Sequence, residues 1–324
     1  MTRPRPEWKR IPETGTFLAL RFTLLSVRLL GRRVTRGFVY VVIFYYALFA
    51  RRARRASRDY LRRSNLPHGF WAVYRHLFCF GSTVLDRLYF VQDDFRPFDI
   101  SRTGHHYMEE LAETRRGAIL LGAHLGSFEV MRTQSMKHRF PINVVGDFSN
   151  AERINAFLRR LNPDIDTRLI SISEGAVGLA LKIQRAIDAG ELVAILGDRA
   201  GEGASLPSRF LGSPVRFPTG PYMLAAMLRC PVYLTFGLHR SPNRYELYCE
   251  PFAEKIVLPR GSRREALQQY VDQYASRLEH YCRLAPNNWF NFFPYWDDQP
   301  AGAVEAPQPT TQDVALVGKE EGCA

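Results

Sequence analysis

Residues 117–129 read GAILLGAHLGSFE, from Gly117 to Glu129. The first six positions are apolar or glycine, with no polar face. A strand of that kind is buried on both sides, as in the middle of a parallel sheet. A glycine-flanked turn follows and carries His124. Ser127 is a residue type that caps helices, so the next helix is expected to start there with Glu129 in its first turn. Strand, turn and helix in this order are one half of an α/β unit. In open α/β sheets ligands bind where the strands end.

The same alternation continues downstream. Ile142 to Val145, Arg168 to Ile172 and Glu191 to Gly197 read as further strands, with helices expected over 126–137, 151–161 and 175–189. A helix over 219–228 precedes a strand at Val232 to Leu238. Tyr245 to Glu250 follows as an antiparallel partner, and a long charged helix covers 263–284. The fold class implied is α/β, a mixed central sheet flanked by helices. Upstream, 69–92 is apolar at three- and four-residue intervals and reads as a helix. Residues 1–64 are expected to form basic, apolar membrane-anchoring helices, 65–299 the α/β domain, and 300–324 a disordered tail rich in Pro, Ala, Gly, Gln and Thr.

The chain has 324 residues, 46% of them hydrophobic, and a formal net charge of +12. That is ample for a large core. A basic balance calls for an anionic partner. The arginines decide which, because Arg51, Arg52, Arg54, Arg55, Arg58, Arg62 and Arg63 follow directly on apolar runs. That pattern fits a membrane surface. No zinc-finger spacing or RNA-recognition signature accompanies it, which argues against nucleic acid. Phe17 to Leu30 is broken by Arg21 and Arg28, and Gly37 to Ala50 is short. Both fall below the roughly 18–20 residues of a bilayer span. An interfacial or re-entrant helical hairpin is expected, with the basic run on the cytoplasmic side. A buried helix pair with a solvated basic face is the plainer alternative. Five scattered cysteines form neither a disulfide framework nor a Cys-x-x-Cys pair.

His124 and Glu129 lie five positions apart. Within one helix they would point about 140° apart. They can act together only if His124 precedes the helix and Glu129 reaches back. A histidine with an orienting carboxylate is a general base. No Gly-x-Ser-x-Gly elbow surrounds Ser127, so no serine nucleophile is expected. Backbone amides near Gly126 or Ser127 are candidate oxyanion donors. A turn histidine beside a glutamate that merely serves the helix dipole is the bland reading of the same residues. Asp198 and Arg199 end a core strand, and Arg199 is suited to a phosphate or a phosphopantetheine, with a structural ion pair as the plainer alternative. His105 and His106 read as the start of a helix, without a third metal ligand.

The His-x4-Glu segment resembles the catalytic His-x4-Asp/Glu motif of the lysophospholipid acyltransferase superfamily. Within it the chain resembles bacterial lipid A biosynthesis (lauroyl/myristoyl) acyltransferases. The resemblance covers roughly residues 8–296. It rests on the basic N-terminal region, Ala123 to Glu129, Asn155 with Arg159, Gly197-Asp-Arg199, Phe217 to Pro221, and Pro286 to Phe290. It departs where lipid A enzymes usually carry Asp-Gln-Asp and this chain has Gly197-Asp-Arg199. The opening Trp8 to Gly15 looks like a less characterised branch of predicted acyltransferases.

The resemblance implies a glycerolipid acyltransferase-like fold and O-acyl transfer from a thioester to a lipid or glycolipid hydroxyl. His124 and Glu129 would be catalytic. Gly126, Ser127, Asn155, Arg159, Asp198 and Arg199 would bind substrate. Neither a metal nor an organic cofactor is implied. A basic surface suits an acidic acyl carrier protein as donor, ahead of coenzyme A. The expected place is the cytoplasmic face of a Gram-negative inner membrane. A lipid hydrolase, with water as acceptor, and an inactive lipid-binding scaffold are the rival readings.

Overall fold

A computed structural model describes residues 17–131, 141–146, 168–172, 175–201 and 203–296. At its centre is a seven-stranded sheet of strands β1 (Asp99–Thr103), β2 (Ala118–Gly122), β3 (Ile142–Gly146), β4 (Leu169–Ser171), β5 (Leu192–Leu196), β8 (Val232–Arg240) and β9 (Arg244–Ala253). The spatial order is β1-β9-β8-β2-β5-β3-β4. Only the β8–β9 pair is antiparallel, and every other pairing is parallel. The mixed sheet expected from the sequence is therefore present. β2 and β5 lie at its centre, and β2 is buried at all five positions.

Side chains alternate across these strands. Ile119, Leu121, Val193, Ile195 and Leu234 face one side, with Tyr274 and Leu278 of the long helix α7 (Arg263–Leu284) in the same core. Ala118, Leu120, Leu192, Ala194 and Tyr233 face the other, with Met108 and Leu111 of α4 (His105–Glu113). Each fully buried aliphatic chain of this kind stabilises by about 1.5–3 kcal/mol. Helices α5 (Gly175–Asp188) and α6 (Gly220–Leu228) complete the described α/β part.

Two features were not expected from the sequence. β1, reading DISRT, is a mostly exposed edge strand without an apolar pattern. β6 (Ser205–Phe210) and β7 (Ser213–Pro218) form a separate hairpin around Leu211 and Gly212, both at positive φ. Their prolines, Pro207, Pro214 and Pro218, disguise them as turns. A two-stranded ribbon tolerates proline because each strand has a free edge. Phe217 and Pro218 thus close a strand, and α6 begins at Gly220 with Pro221 in its first turn.

The N-terminal helices pack on this frame. α1 (Phe17–Phe49) is interrupted at Gly31, whose φ of 71° only glycine adopts freely. It thereby joins the two apolar stretches of the sequence. At Ala50 the path from Leu29–Phe49 into α2 (Arg51–Arg63) bends by 92°. Among the described residues no single helix is long and apolar enough to cross a membrane. α1 is pinned to α3 (Phe70–Val91) by a two-pronged ion pair in which Arg32 Nε and Nη2 donate to Asp86 at 2.7 and 2.8 Å. His76 of α3 is fully buried, and burial lowers it to about 4, so it is neutral. Its Nε2 donates to Trp289 O, which leaves Nδ1 to accept from Ser57. This ties α2 and α3 to the segment that supports the site.

Candidate active site

Parallel register builds the site. Gly122 at the end of β2 pairs with Leu196 at the end of β5. Two residues further on each strand come His124 and Asp198, still abreast. Gly197 N donates to Gly122 O at 2.9 Å and continues the ladder. His124 Nδ1 donates to Asp198 Oδ1 at 2.8 Å. The imidazole's Nε2 is left with its lone pair, and the side chain is 28% exposed while that of Asp198 is 0%.

The orienting carboxylate is therefore that of Asp198, and the expectation that Glu129 reaches back to His124 is corrected. The helix begins at Phe128, and Ser127 caps it by accepting from Val130 N at 3.4 Å. Both features match the sequence. The first turn, however, points Glu129 at α3, where Arg87 Nε donates to its Oε2 at 3.1 Å. The turn itself fixes that direction. Gly126 has φ 71°, and a Cβ there would lie 2.0 Å from Gly237 O of β8. Only glycine allows the turn to run that close to the strand.

The expected oxyanion donors are also corrected. Gly126 N donates to Asn288 O at 2.8 Å and Ser127 N to Gly237 O at 2.7 Å. Both amides serve to hold the turn. Phe290 N donates to His124 O at 2.7 Å, so the segment 288–290 straps the histidine's backbone from the other side. Ser127 is buried and occupied as a cap. Burial pushes the Cys79 and Cys249 thiols up to about 12 and Cys230 to about 11, so none offers a thiolate at neutral pH.

Asp198 and Arg199, expected as substrate contacts, are held at the site by a hydrogen-bond network. Asn291 joins them. Its Nδ2 donates to Asp198 Oδ2 at 2.8 Å, and its Oδ1 accepts from Arg199 Nε at 2.7 Å. Arg199 Nη2 donates to Phe290 O, and its guanidinium lies over the Phe293 ring. Tyr295 donates to Asp198 O. Asn291 is not among the residues that the sequence singles out. A buried amide must find partners, and an asparagine amid buried aromatics was the available signal. Asn155 and Arg159 lie outside the described residues.

Electrostatics favours a neutral base beside a fixed charge. Burial lowers His124 below the ordinary 6.5, Arg199 lowers it further, and Asp198 partly opposes both. Burial alone would raise Asp198, but His124, Arg199 and Asn291 outweigh it and hold the carboxyl at about 2. At neutral pH the pair is thus imidazole and carboxylate. That arrangement can take a proton from a hydroxyl and stabilise the imidazolium that results.

Comparison with curated proteins finds no match. The family model described as bacterial lipid A biosynthesis acyltransferase matches residues 87–297, a stretch that holds His124, Glu129, Asp198, Arg199 and Asn291. On that match, which spans more than half of its length, the chain belongs to the bacterial lipid A biosynthesis acyltransferase family.

Proposed function

We propose that this chain moves a fatty acyl group from an acyl thioester onto a hydroxyl of a lipid A-like glycolipid, with His124 as general base. The observation that carries the reading is the 2.8 Å bond from His124 Nδ1 to Asp198, which leaves Nε2 unprotonated and partly exposed. The acceptor O–H gives its proton to Nε2 as its oxygen attacks the thioester carbonyl carbon. The tetrahedral intermediate collapses, the C–S bond breaks, and the leaving thiolate takes the proton from His124. No acyl-enzyme is needed. Arg199 uses two of its five N–H donors on Asn291 and Phe290. The remaining ones are the candidate partners for the oxyanion. Glu129 acts at one remove, by holding Arg87 and the first turn of the helix.

Membrane association belongs to this reading. On α1 the side chains of Leu29, Val41, Val42, Tyr45 and Phe49 are each more than 60% exposed, as is Trp71 on α3. An apolar face of that extent marks an interaction surface. Arg51, Arg52, Arg55, Arg58 and Arg62 stand exposed on α2 beside it, as on a helix that rests on anionic headgroups at the cytoplasmic face of the inner membrane. Acyl carrier protein is the proposed donor because its acidic surface complements a basic enzyme. The test uses purified full-length protein, labelled acyl carrier protein and a glycolipid acceptor. Label is expected in lipid. Label in free fatty acid would instead establish a hydrolase, and no turnover with any thioester would establish the scaffold.

A further inference from the structure

A cavity of about 510 Å³ opens between α1, α3, the β8–β9 turn and the 286–288 turn. His124 is not among its lining residues. One wall is aromatic, made by Tyr40, Trp71, Tyr74 and Phe78. Tyr40 stacks on Phe78 with ring centroids 4.0 Å apart. Three arginines line the same space: Arg36, Arg75 and Arg240. Arg240 is neutralised by Glu246 at 3.0 Å. Arg36 and Arg75 have no carboxylate partner among the described residues. Arg36 instead donates to Ser241 Oγ at 2.8 Å and lies over Phe78, while its buried Nε makes no hydrogen bond.

We infer that this cavity binds the phosphate headgroup of an anionic membrane phospholipid, at a site separate from His124. Two guanidinium groups without a carboxylate line the same cavity, and arginine forks match phosphate geometry. The volume falls within the usual range for a small-molecule site. Trp71 and Tyr40 are exposed at the rim, continuous with the apolar face of α1. Aromatic residues of that kind sit at headgroup level. A lipid would thus place its phosphate between Arg36 and Arg75 and lay its chains along α1. Charge selects a phospholipid with net negative charge over a zwitterionic one.

Full-length protein in neutral detergent, titrated with phosphatidylglycerol or phosphatidylcholine and read by native mass spectrometry, tests this. One phosphatidylglycerol is expected to stay bound per chain, with phosphatidylcholine retained far less. Arg36→Gln with Arg75→Gln should weaken retention by at least roughly tenfold. The same charge removed at Arg260→Gln with Arg264→Gln, exposed around the start of α7, should leave it within about twofold. Arg75 is exposed and makes no hydrogen bond or ion pair among the described residues, so Arg75→Gln alone serves if the double variant does not fold. Equal loss in both variant pairs would show diffuse attraction only. Equal retention of the two lipids would show an apolar groove without headgroup recognition, and displacement by inorganic phosphate an anion site indifferent to lipid. Any of these three results overturns the inference. Binding is read without turnover, so the outcome is independent of the acyl-transfer reading.

Discussion

Asp86 and Asp198 are both fully buried, yet the protein treats them in opposite ways. Asp86 is raised by burial, although Arg32 grips both its oxygens and Tyr245 donates to it at 2.8 Å. Asp198 is held at about 2, because a histidine, an arginine and an asparagine outweigh the same burial. Asp86 clamps one helix to another. Asp198 is ionised against a neutral, partly exposed imidazole, so its charge is available when a proton arrives next door. Asp86 also has a histidine 4.0 Å away, but His239 is itself buried, so what sets Asp198 apart is a titratable partner that the outside can reach.

Breaking each side of the comparison should give different kinds of damage. His124→Ala should abolish transfer, and Asp198→Asn should lower kcat by about 10⁴-fold, the scale of losing the carboxylate that sets a catalytic tautomer. The unfolding curve of His124→Ala should stay near the parent's, whereas Asp198→Asn should also lower stability, because a carboxyl held at about 2 stabilises the fold when ionised. A kcat for Asp198→Asn within tenfold of the parent would remove Asp198 from the mechanism. Asp86→Ala should do the reverse. It strands Arg32 in the interior and should cost about 3–5 kcal/mol of stability, read by denaturant unfolding, while the folded fraction turns over within a few-fold of normal.

Two subtler changes sharpen the contrast. Arg199→Gln removes a charge that lowers His124. The acid limb of the pH–rate profile, expected below 6.5 in the parent because His124 is lowered, should move to higher pH. The accompanying loss should be about 10²–10³-fold if Arg199 also meets the oxyanion. An acid limb that stays in place would mean that Arg199 does not act on His124. Glu129→Gln should slow turnover by about 10²-fold, the scale of a small misplacement, with the acid limb unmoved. A loss equal to that of Asp198→Asn would place Glu129 among the reacting groups.

What the sequence revealed follows the same physics. β2 and β5 were legible because a strand covered on both faces must be apolar throughout. β1 was hidden by its exposure, and β6 and β7 by prolines that only a ribbon admits. His124 and the Ser127 cap were readable from local spacing. The partner of His124 was not, since Glu129 is its neighbour along the chain and Asp198 its neighbour only across the sheet. Strand order is a tertiary fact. Asn291, like Asp198, contributes through a contact between segments far apart in the chain.

The 74-position separation of His124 and Asp198 has a consequence for how such an enzyme can change. Two adjacent strand ends set the dyad, and the length of the chain between them does not. Lengthening that chain adds only loop-closure entropy, about 0.6 kcal/mol for each doubling. A slip of one residue between β2 and β5 would turn one partner to the opposite face. The connections between the two strands can thus vary in length, while the register of the ten paired residues must be kept.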